Sequence, residues 1–218
     1  MTPDYNRAAT KAMEVLIENN IHKAPIDPFP ILKNYPGVLM VSFEEMSTTI
    51  NVDRNDIIRS CKQSPDAVTA TKVDGNGLQY IVAYNRYLSM NILQKAFARE
   101  LGHVVLGHDG SLPDDIRTAE ARCFAQHFLA PRPLIHSIQA SGFKITTHVL
   151  SSITDCYDEC VLCMRKLPAT HVPAELNRKV RDQFMKYILN YFEYQRIMMH
   201  RDETAVVDFG TYMDGYVE

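Results

Sequence analysis

Two predicted helices carry the side chains of this sequence that could do chemistry. Glu100 and His103 stand in the stretch A-R-E-L-G-H, and Glu120 opens the stretch E-A-R-C-F-A-Q-H-F-L-A-P. In the pattern H-E-x-x-H, histidines four residues apart share one helix face and bind zinc, while the glutamate takes a proton from the metal-bound water. Here the first histidine position is occupied by Arg99.

Arg99 changes what the pattern can do. A guanidinium keeps its proton, offers no lone pair to a metal, and puts a fixed positive charge where a dication would sit. Two predicted ligands remain, His103 and Glu120, which is one short of a catalytic zinc site. We therefore expect Arg99 to pair with Glu120 or Glu100, and zinc to be weakly bound or absent.

Two further histidines are candidate replacements for the missing ligand. His108 lies five residues after His103, about 140° round an ideal helix, and is expected to face away unless Gly107 unwinds the helix end. His127 lies two turns beyond Glu120, about 10 Å along the helix axis. We interpret both as ordinary polar or half-buried histidines.

The two stretches resemble the ImmA/IrrE family of zinc-metallopeptidase-like proteins. The family motif A-H-E-L-G-H-x-x-L-G-H corresponds to A-R-E-L-G-H-V-V-L-G-H (Ala98–His108), and E-A-x-x-F-A-x-x-L-L-x-P corresponds to the stretch Glu120–Pro131. An N-terminal helix, the segment P-I-D-P, a strand and a hairpin ending in Y-I-V-A-Y-N precede them in the family order. The resemblance covers about residues 5–165.

The resemblance implies roles for particular residues. His103 and Glu120 would bind zinc, Glu100 would be the catalytic base, and Arg99 is the departure from the family. It also implies an α+β, zincin-like metallopeptidase core with a small, mostly antiparallel sheet, followed by a helical C-terminal region. Family members are often encoded by phages or mobile elements and act on or with a helix-turn-helix repressor.

A cysteine-rich stretch and a helix pair late in the chain suggest other functions. Cys156, Cys160 and Cys163 have the C-x3-C-x2-C spacing of a radical-SAM iron–sulfur site, but positions i, i+4 and i+7 also form the buried face of one helix. Residues 145–167 could form a helix-turn-helix. Its second helix carries acidic residues where DNA phosphates require cations, so DNA is an improbable partner.

Composition limits the class of protein. The 218 residues carry a formal net charge of −3, which gives no basic field for nucleic acid. The N-terminus lacks the apolar segment of a signal peptide, and no run is long enough to cross a bilayer. Five cysteines, an odd number, and no export signal indicate reduced thiols in a cytoplasmic protein.

Periodicity and turn residues predict the elements that position these residues. Helical spacing covers residues 4–19, and Asp27 and Pro28 should start a short second helix. A strand is predicted over 37–43, a short helix over 53–61 and a hairpin around 74–77. Further helices are predicted over 89–106, from Asp114 to about Leu129, and after Pro131. A pair of short helices is predicted over 145–167, and a long helix from Glu175 to about His200.

These elements predict three parts. Residues 1–140 form the peptidase-like domain, 141–170 a small helical unit, and 171–218 a long helix with an acidic tail. The long helix is rich in Tyr, Phe and Met, which suits packing on the domain or a homodimer or partner interface.

Three functions follow from these observations. The first is a catalytically impaired, non-enzymatic peptidase-like protein that binds another protein, such as a helix-turn-helix regulator. The second is an active zinc-dependent protease that cleaves a repressor or other regulator, with Glu100 as base. The third is a DNA-binding regulator.

Overall fold

The computed structural model describes residues 1–60, 65–74, 77–140 and 169–199. This part of the chain is α+β, as predicted, with nine helices and one three-stranded sheet. The helices are α1 (Tyr5–Glu18), α2 (Phe29–Lys33), α3 (Phe43–Ile50), α4 (Arg54–Ser60), α5 (Met90–Val105), α6 (Asp114–Leu129), α7 (Arg132–Ala140), α8 (Ala174–Gln183) and α9 (Met185–Met199). The strands are β1 (Val38–Ser42), β2 (Ala67–Asp74) and β3 (Gly77–Tyr84).

The chain divides into two compact units. The first comprises Met1–Lys11 and Asp27–Ala125, and the second comprises Ala12–Ile26 and Gln126–Glu218. Within the described helices, none combines the length and the apolar character needed to cross a membrane.

The sheet of the first unit has the strand order β1-β3-β2. The hairpin prediction is confirmed, because β2 and β3 pair antiparallel with Ala67 opposite Tyr84. The prediction of a mostly antiparallel sheet is wrong: β1 pairs parallel to β3, with Val38 opposite Tyr80, so the sheet is mixed. The chain passes from β1 through α3 and α4 before it enters β2, and a parallel pair requires such a crossover connection rather than a tight turn.

Helix α3 was not predicted, although its start has a clear sequence signal. Ser42 and Glu45 form a capping box, in which the Ser42 hydroxyl accepts the Glu45 N–H at 3.2 Å and the Glu45 carboxylate accepts the Ser42 N–H at 2.7 Å. Phe43 follows the cap and is fully buried in a cluster with Ile57 and Ala83. The S-x-x-E pattern therefore marks the end of β1 and the start of α3, with no loop between them.

Helix α5 packs its apolar face on the sheet and carries the candidate chemistry. Phe97 contacts the rings of Phe29 and Tyr84, with centroid distances of 5.3 and 5.2 Å. On the next turn, Gly102 lets α6 approach closely: a Cβ at this position would lie 3.1 Å from the carbonyl oxygen of Ala121. The residues at the C-terminal end of α5 are thus held between the sheet and α6.

The second unit contains α7, α8 and α9. The predicted long helix from Glu175 to about His200 is two helices instead, because Phe184 has ψ near 1° and separates α8 from α9. Hydrogen bonds from the Phe184 N–H to Val180 and from the Ile188 N–H to Phe184 bridge the break. The predicted apolar stripe is buried at Val180, Phe184, Tyr187, Ile188 and Tyr191.

Several predictions fall on residues outside the described part. These are the helix-turn-helix-like unit, Cys156, Cys160, Cys163, and the acidic tail after Arg201. The division into three parts at 140 and 170 therefore remains a prediction, as does the zincin-like assignment of the core.

Candidate functional site

The candidate residues converge at the end of α5. Arg99, Glu100 and His103 lie on its last two turns, Glu120 lies on α6, and His108 follows the end of α5. All five belong to the first compact unit. They form two hydrogen-bonded groups, which we call the arginine–glutamate pair and the histidine chain.

The arginine–glutamate pair joins Arg99 to Glu100. The guanidinium Nη2 lies 3.0 Å from Glu100 Oε1, and its Nε donates to the same oxygen at 3.1 Å. Nη2 also donates to the carbonyl oxygen of Ala67 on β2, at 3.3 Å. The predicted pairing of Arg99 with Glu100 is confirmed.

Glu100 is buried, and both of its carboxylate oxygens have partners. Its side chain is 3% exposed, and Oε2 accepts the hydroxyl of Thr69 at 2.7 Å. Burial raises the pKa of Glu100 above its ordinary value, while the Arg99 charge and the Thr69 hydrogen bond act in the opposite direction. A general base must reach the water that it deprotonates, and this carboxylate is buried with a partner on each oxygen.

His108 folds back towards His103, which is the exception that the sequence allowed if Gly107 unwound the helix end. Gly107 adopts φ +67°, and the helix ends in a Schellman motif: the His108 N–H bonds to the His103 carbonyl and the Gly107 N–H bonds to the Val104 carbonyl, both at 3.0 Å. The angle of an ideal helix does not apply beyond this glycine. The same motif places the His108 side chain in the interior, 1% exposed.

The histidine chain consists of Glu120, His108 and His103. His108 Nε2 lies 3.1 Å from Glu120 Oε2, and His108 Nδ1 lies 3.0 Å from His103 Nδ1. Burial lowers the pKa of His103 to about 3, helped by the charges of His108 and Arg99. Burial also lowers the pKa of His108, although the bond to Glu120 opposes this shift.

Neutral imidazoles fix the direction of every hydrogen bond in the histidine chain. A carboxylate only accepts, so His108 must donate through Nε2 and accept at Nδ1. His103 must therefore carry its proton on Nδ1, which leaves the lone pair on its Nε2. The chain presets the tautomer of His103 in the way that outer partners preset a metal-binding histidine.

The second oxygen of Glu120 is bound by the N-terminus of the chain. Glu120 Oε1 accepts the Asp4 N–H at 2.7 Å, and Arg7 Nη1 lies 3.9 Å from Oε2. Arg7 also donates to the carbonyl oxygen of Leu106, which is the C-cap of α5. Sequence reasoning missed Asp4 and Arg7, since nothing local links them to a residue more than 100 positions away.

This arrangement does not fit a complete zinc site. Both oxygens of Glu120 are occupied, and His103 is joined to Glu120 through His108. Within the described ranges, no three or more His, Cys, Asp or Glu side chains are grouped so that they could hold a metal ion. Catalytic zinc takes three protein ligands, so the roles of His103 and Glu120 as ligands remain predictions.

His127, the other candidate replacement ligand, belongs to the second unit. Its side chain is buried, and its Nε2 lies 3.1 Å from the Thr170 hydroxyl. Burial, with the nearby charge of Arg132, lowers the pKa of His127 to about 4. The sequence predicted a polar or half-buried histidine, whereas His127 is buried.

Comparisons with known proteins do not supply a function. No family model, no curated protein and no solved structure matches this chain. Function must therefore be inferred from the two hydrogen-bonded groups and from the surfaces around them.

Proposed function

We propose that this chain is a peptidase-like protein of the ImmA/IrrE type that has replaced metal chemistry with an internal ion pair, and that it works by binding another protein. The observation that supports this most is the state of Glu100. Its carboxylate is buried, and Arg99 and Thr69 engage its two oxygens, so this candidate base is held in an ion pair and shielded from solvent. The ion pair then serves to keep the fold of a surface that recognises a partner.

The resemblance directs the choice of partner. Proteins of this family act on or with helix-turn-helix regulators, often in phages or mobile elements. On this proposal the chain keeps the recognition function and has lost the cleavage step. A partner would then be bound and released without being cut.

Zinc binding by two variants tests the proposal. Arg99→His restores the first histidine of the motif, and we expect it to raise zinc affinity by at least about tenfold, because even an outer-shell change has an effect of that size. Arg122→His is the matched control, since Arg122 is exposed on α6 and away from the candidate residues. Affinity is measured by competition with a chelating dye, and zinc content by elemental analysis of the purified protein.

Two results would contradict the proposal or its site. Near-stoichiometric zinc in the parent protein, lost in Glu120→Ala, would show an intact metal centre. If Arg99→His binds no more zinc than Arg122→His, the assigned ligand positions are wrong.

One observation favours the second candidate, an active zinc protease that cleaves a regulator. His103 and His108 bring their Nδ1 atoms to 3.0 Å, and two nitrogens bound to one tetrahedral zinc lie about 3.3 Å apart. Zinc binding by both nitrogens would require a small movement and a transfer of the His103 proton from Nδ1 to Nε2. Chelator-sensitive cleavage of fluorescent casein by the parent protein, abolished in Glu100→Gln, would establish this candidate over the first.

A further inference from the structure

A cavity of about 590 Å³ opens in the second unit, where α7 and α8 pack together. Its described lining comes from these two helices, from residues 170–172, from Met13 and from His127 at the end of α6, and all of these residues belong to that unit. The ionisable part of the lining is three arginines and three histidines: Arg132, Arg178, Arg181, His127, His136 and His171. The size is that of a small-molecule site.

The charge of this cavity has one sign. None of the described residues that line it is aspartate or glutamate. Arg181 bonds to Asp182 at 2.9 Å, so its charge is partly compensated. Arg132 and Arg178 make no hydrogen bond or ion pair within the described residues, which leaves two guanidinium groups available to a ligand.

The positive charge of Arg132 affects the pKa of the neighbouring His127. Burial is the main reason that the pKa of His127 is lowered to about 4, and the Arg132 charge adds to it. Glu175 on α8 is not part of the lining; Lys179 binds it at 3.0 Å, and the Arg178 charge also lowers its pKa. Within the described lining, no carboxylate oxygen lies beside Arg132 and Arg178.

We propose that this cavity binds a small molecule that carries two or more phosphate groups. Guanidinium groups pair with phosphate oxygens in a two-pronged geometry, and several of them around one cavity require a ligand with several negative charges. A concave site of this volume encloses a small molecule, whereas nucleic acid is held along an extended basic surface, and the net charge of −3 gives no such field. The proposal is independent of the arginine–glutamate pair and of any metal.

Calorimetric titration of the full chain with pyrophosphate tests this proposal, in a buffer free of phosphate. We expect one site, weakened about tenfold by Arg132→Gln and about tenfold by Arg178→Gln, since each removes a charge-assisted contact. Lys179→Gln is the matched control: it removes the same charge from the same helix, one residue away, but Lys179 does not line the cavity. Arg178→Lys, which keeps the charge without the two-pronged geometry, should weaken binding less than Arg178→Gln.

Each outcome decides the proposal. Weaker pyrophosphate binding in Arg132→Gln and Arg178→Gln, but not in Lys179→Gln, supports the proposal, provided that the circular dichroism and thermal melting of the two arginine variants match those of the parent. If Lys179→Gln weakens pyrophosphate binding equally, the attraction is a non-specific effect of positive charge, and the proposed site is overturned. No heat of binding, together with no ligand-induced rise in melting temperature, would also overturn it. Citrate bound as tightly as pyrophosphate would refute the assignment to phosphate, and a DNA duplex bound more tightly through the same arginines would refute the assignment to a small molecule.

Discussion

Replacing Arg99 with methionine would leave a buried carboxylate without its cation. Arg99 donates a hydrogen bond from Nε to Glu100 Oε1 at 3.1 Å and places Nη2 3.0 Å from the same oxygen, and Thr69 binds only the other oxygen. Methionine retains most of the aliphatic volume, so the change isolates the charge and its hydrogen bonds. Glu100 at 3% exposure cannot take water in exchange without local opening.

The expected loss of stability follows from this geometry. Removing one partner of a buried ion pair typically costs about 3–5 kcal/mol. Arg99 itself is 19% exposed, so solvent already screens part of the interaction, and we expect the lower end, about 3 kcal/mol at neutral pH. Protonation of Glu100 limits the cost, because a neutral carboxyl needs no cation.

Because a protonated Glu100 needs no cation, the stability lost in Arg99→Met depends on pH. Burial raises the folded-state pKa of Glu100, and the Arg99 charge is the largest of the opposing causes. A carboxyl with a raised folded-state pKa contributes stability that is fully present below its unfolded pKa of about 4.3 and is lost as the pH rises through the folded value. Without Arg99 the folded pKa of Glu100 rises further, so the destabilisation should be small near about pH 5 and large near about pH 8.

Urea unfolding of the parent and three variants at both pH values measures the effect. Arg99→Met/Glu100→Gln should recover much of the stability lost in Arg99→Met at the higher pH, since the amide carries no charge. Glu100→Gln alone completes the double-mutant cycle. A loss below about 0.5 kcal/mol, equal at the two pH values, would mean that the arginine–glutamate pair contributes nothing beyond surface ion pairs, and the structural interpretation of Arg99 would be refuted.

Two glycines near the site give further predictions for the same unfolding assay. Gly107→Ala should cost about 1 kcal/mol, because φ +67° disfavours a Cβ although nothing lies within 4 Å of it, and an unchanged midpoint would argue against the Schellman end of α5. Gly102→Ala should cost about 1–3 kcal/mol, because its Cβ would lie 3.1 Å from the backbone oxygen of Ala121 on α6. A stabilised Gly102→Ala, as helix propensity alone predicts, would show that α5 and α6 lie farther apart.

The sequence was sufficient for elements with strong periodicity and clear end signals. Helix α6 begins and ends at the predicted Asp114 and Leu129, and the β2–β3 hairpin forms around its predicted turn. Other features depend on long-range pairing or on a single backbone angle. The parallel β1–β3 pairing has no local signal, and the position of His108 depends on the left-handed conformation of Gly107. The sequence predicted that Arg99 pairs with Glu120 or Glu100 and left the choice open, because adjacent side chains on a helix do not normally face each other.

The negative charges of the two buried carboxylates, Glu100 and Glu120, are balanced by different partners. One substitution therefore need not rebuild a metal centre. In a zinc site one dication would balance both, whereas here Glu100 is balanced by Arg99, and Glu120 is held by the Asp4 N–H, by His108 and more distantly by Arg7. Restoring a histidine at position 99 returns a ligand, but Glu120 must still give up its hydrogen bonds before it can coordinate, at about 1.5–3 kcal/mol for each bond to a charged group. Zinc affinity in Arg99→His should therefore rise above that of the parent and stay below that of an intact three-ligand site. On the proposed function, the partners of Glu120 oppose metal binding as well as Arg99 does.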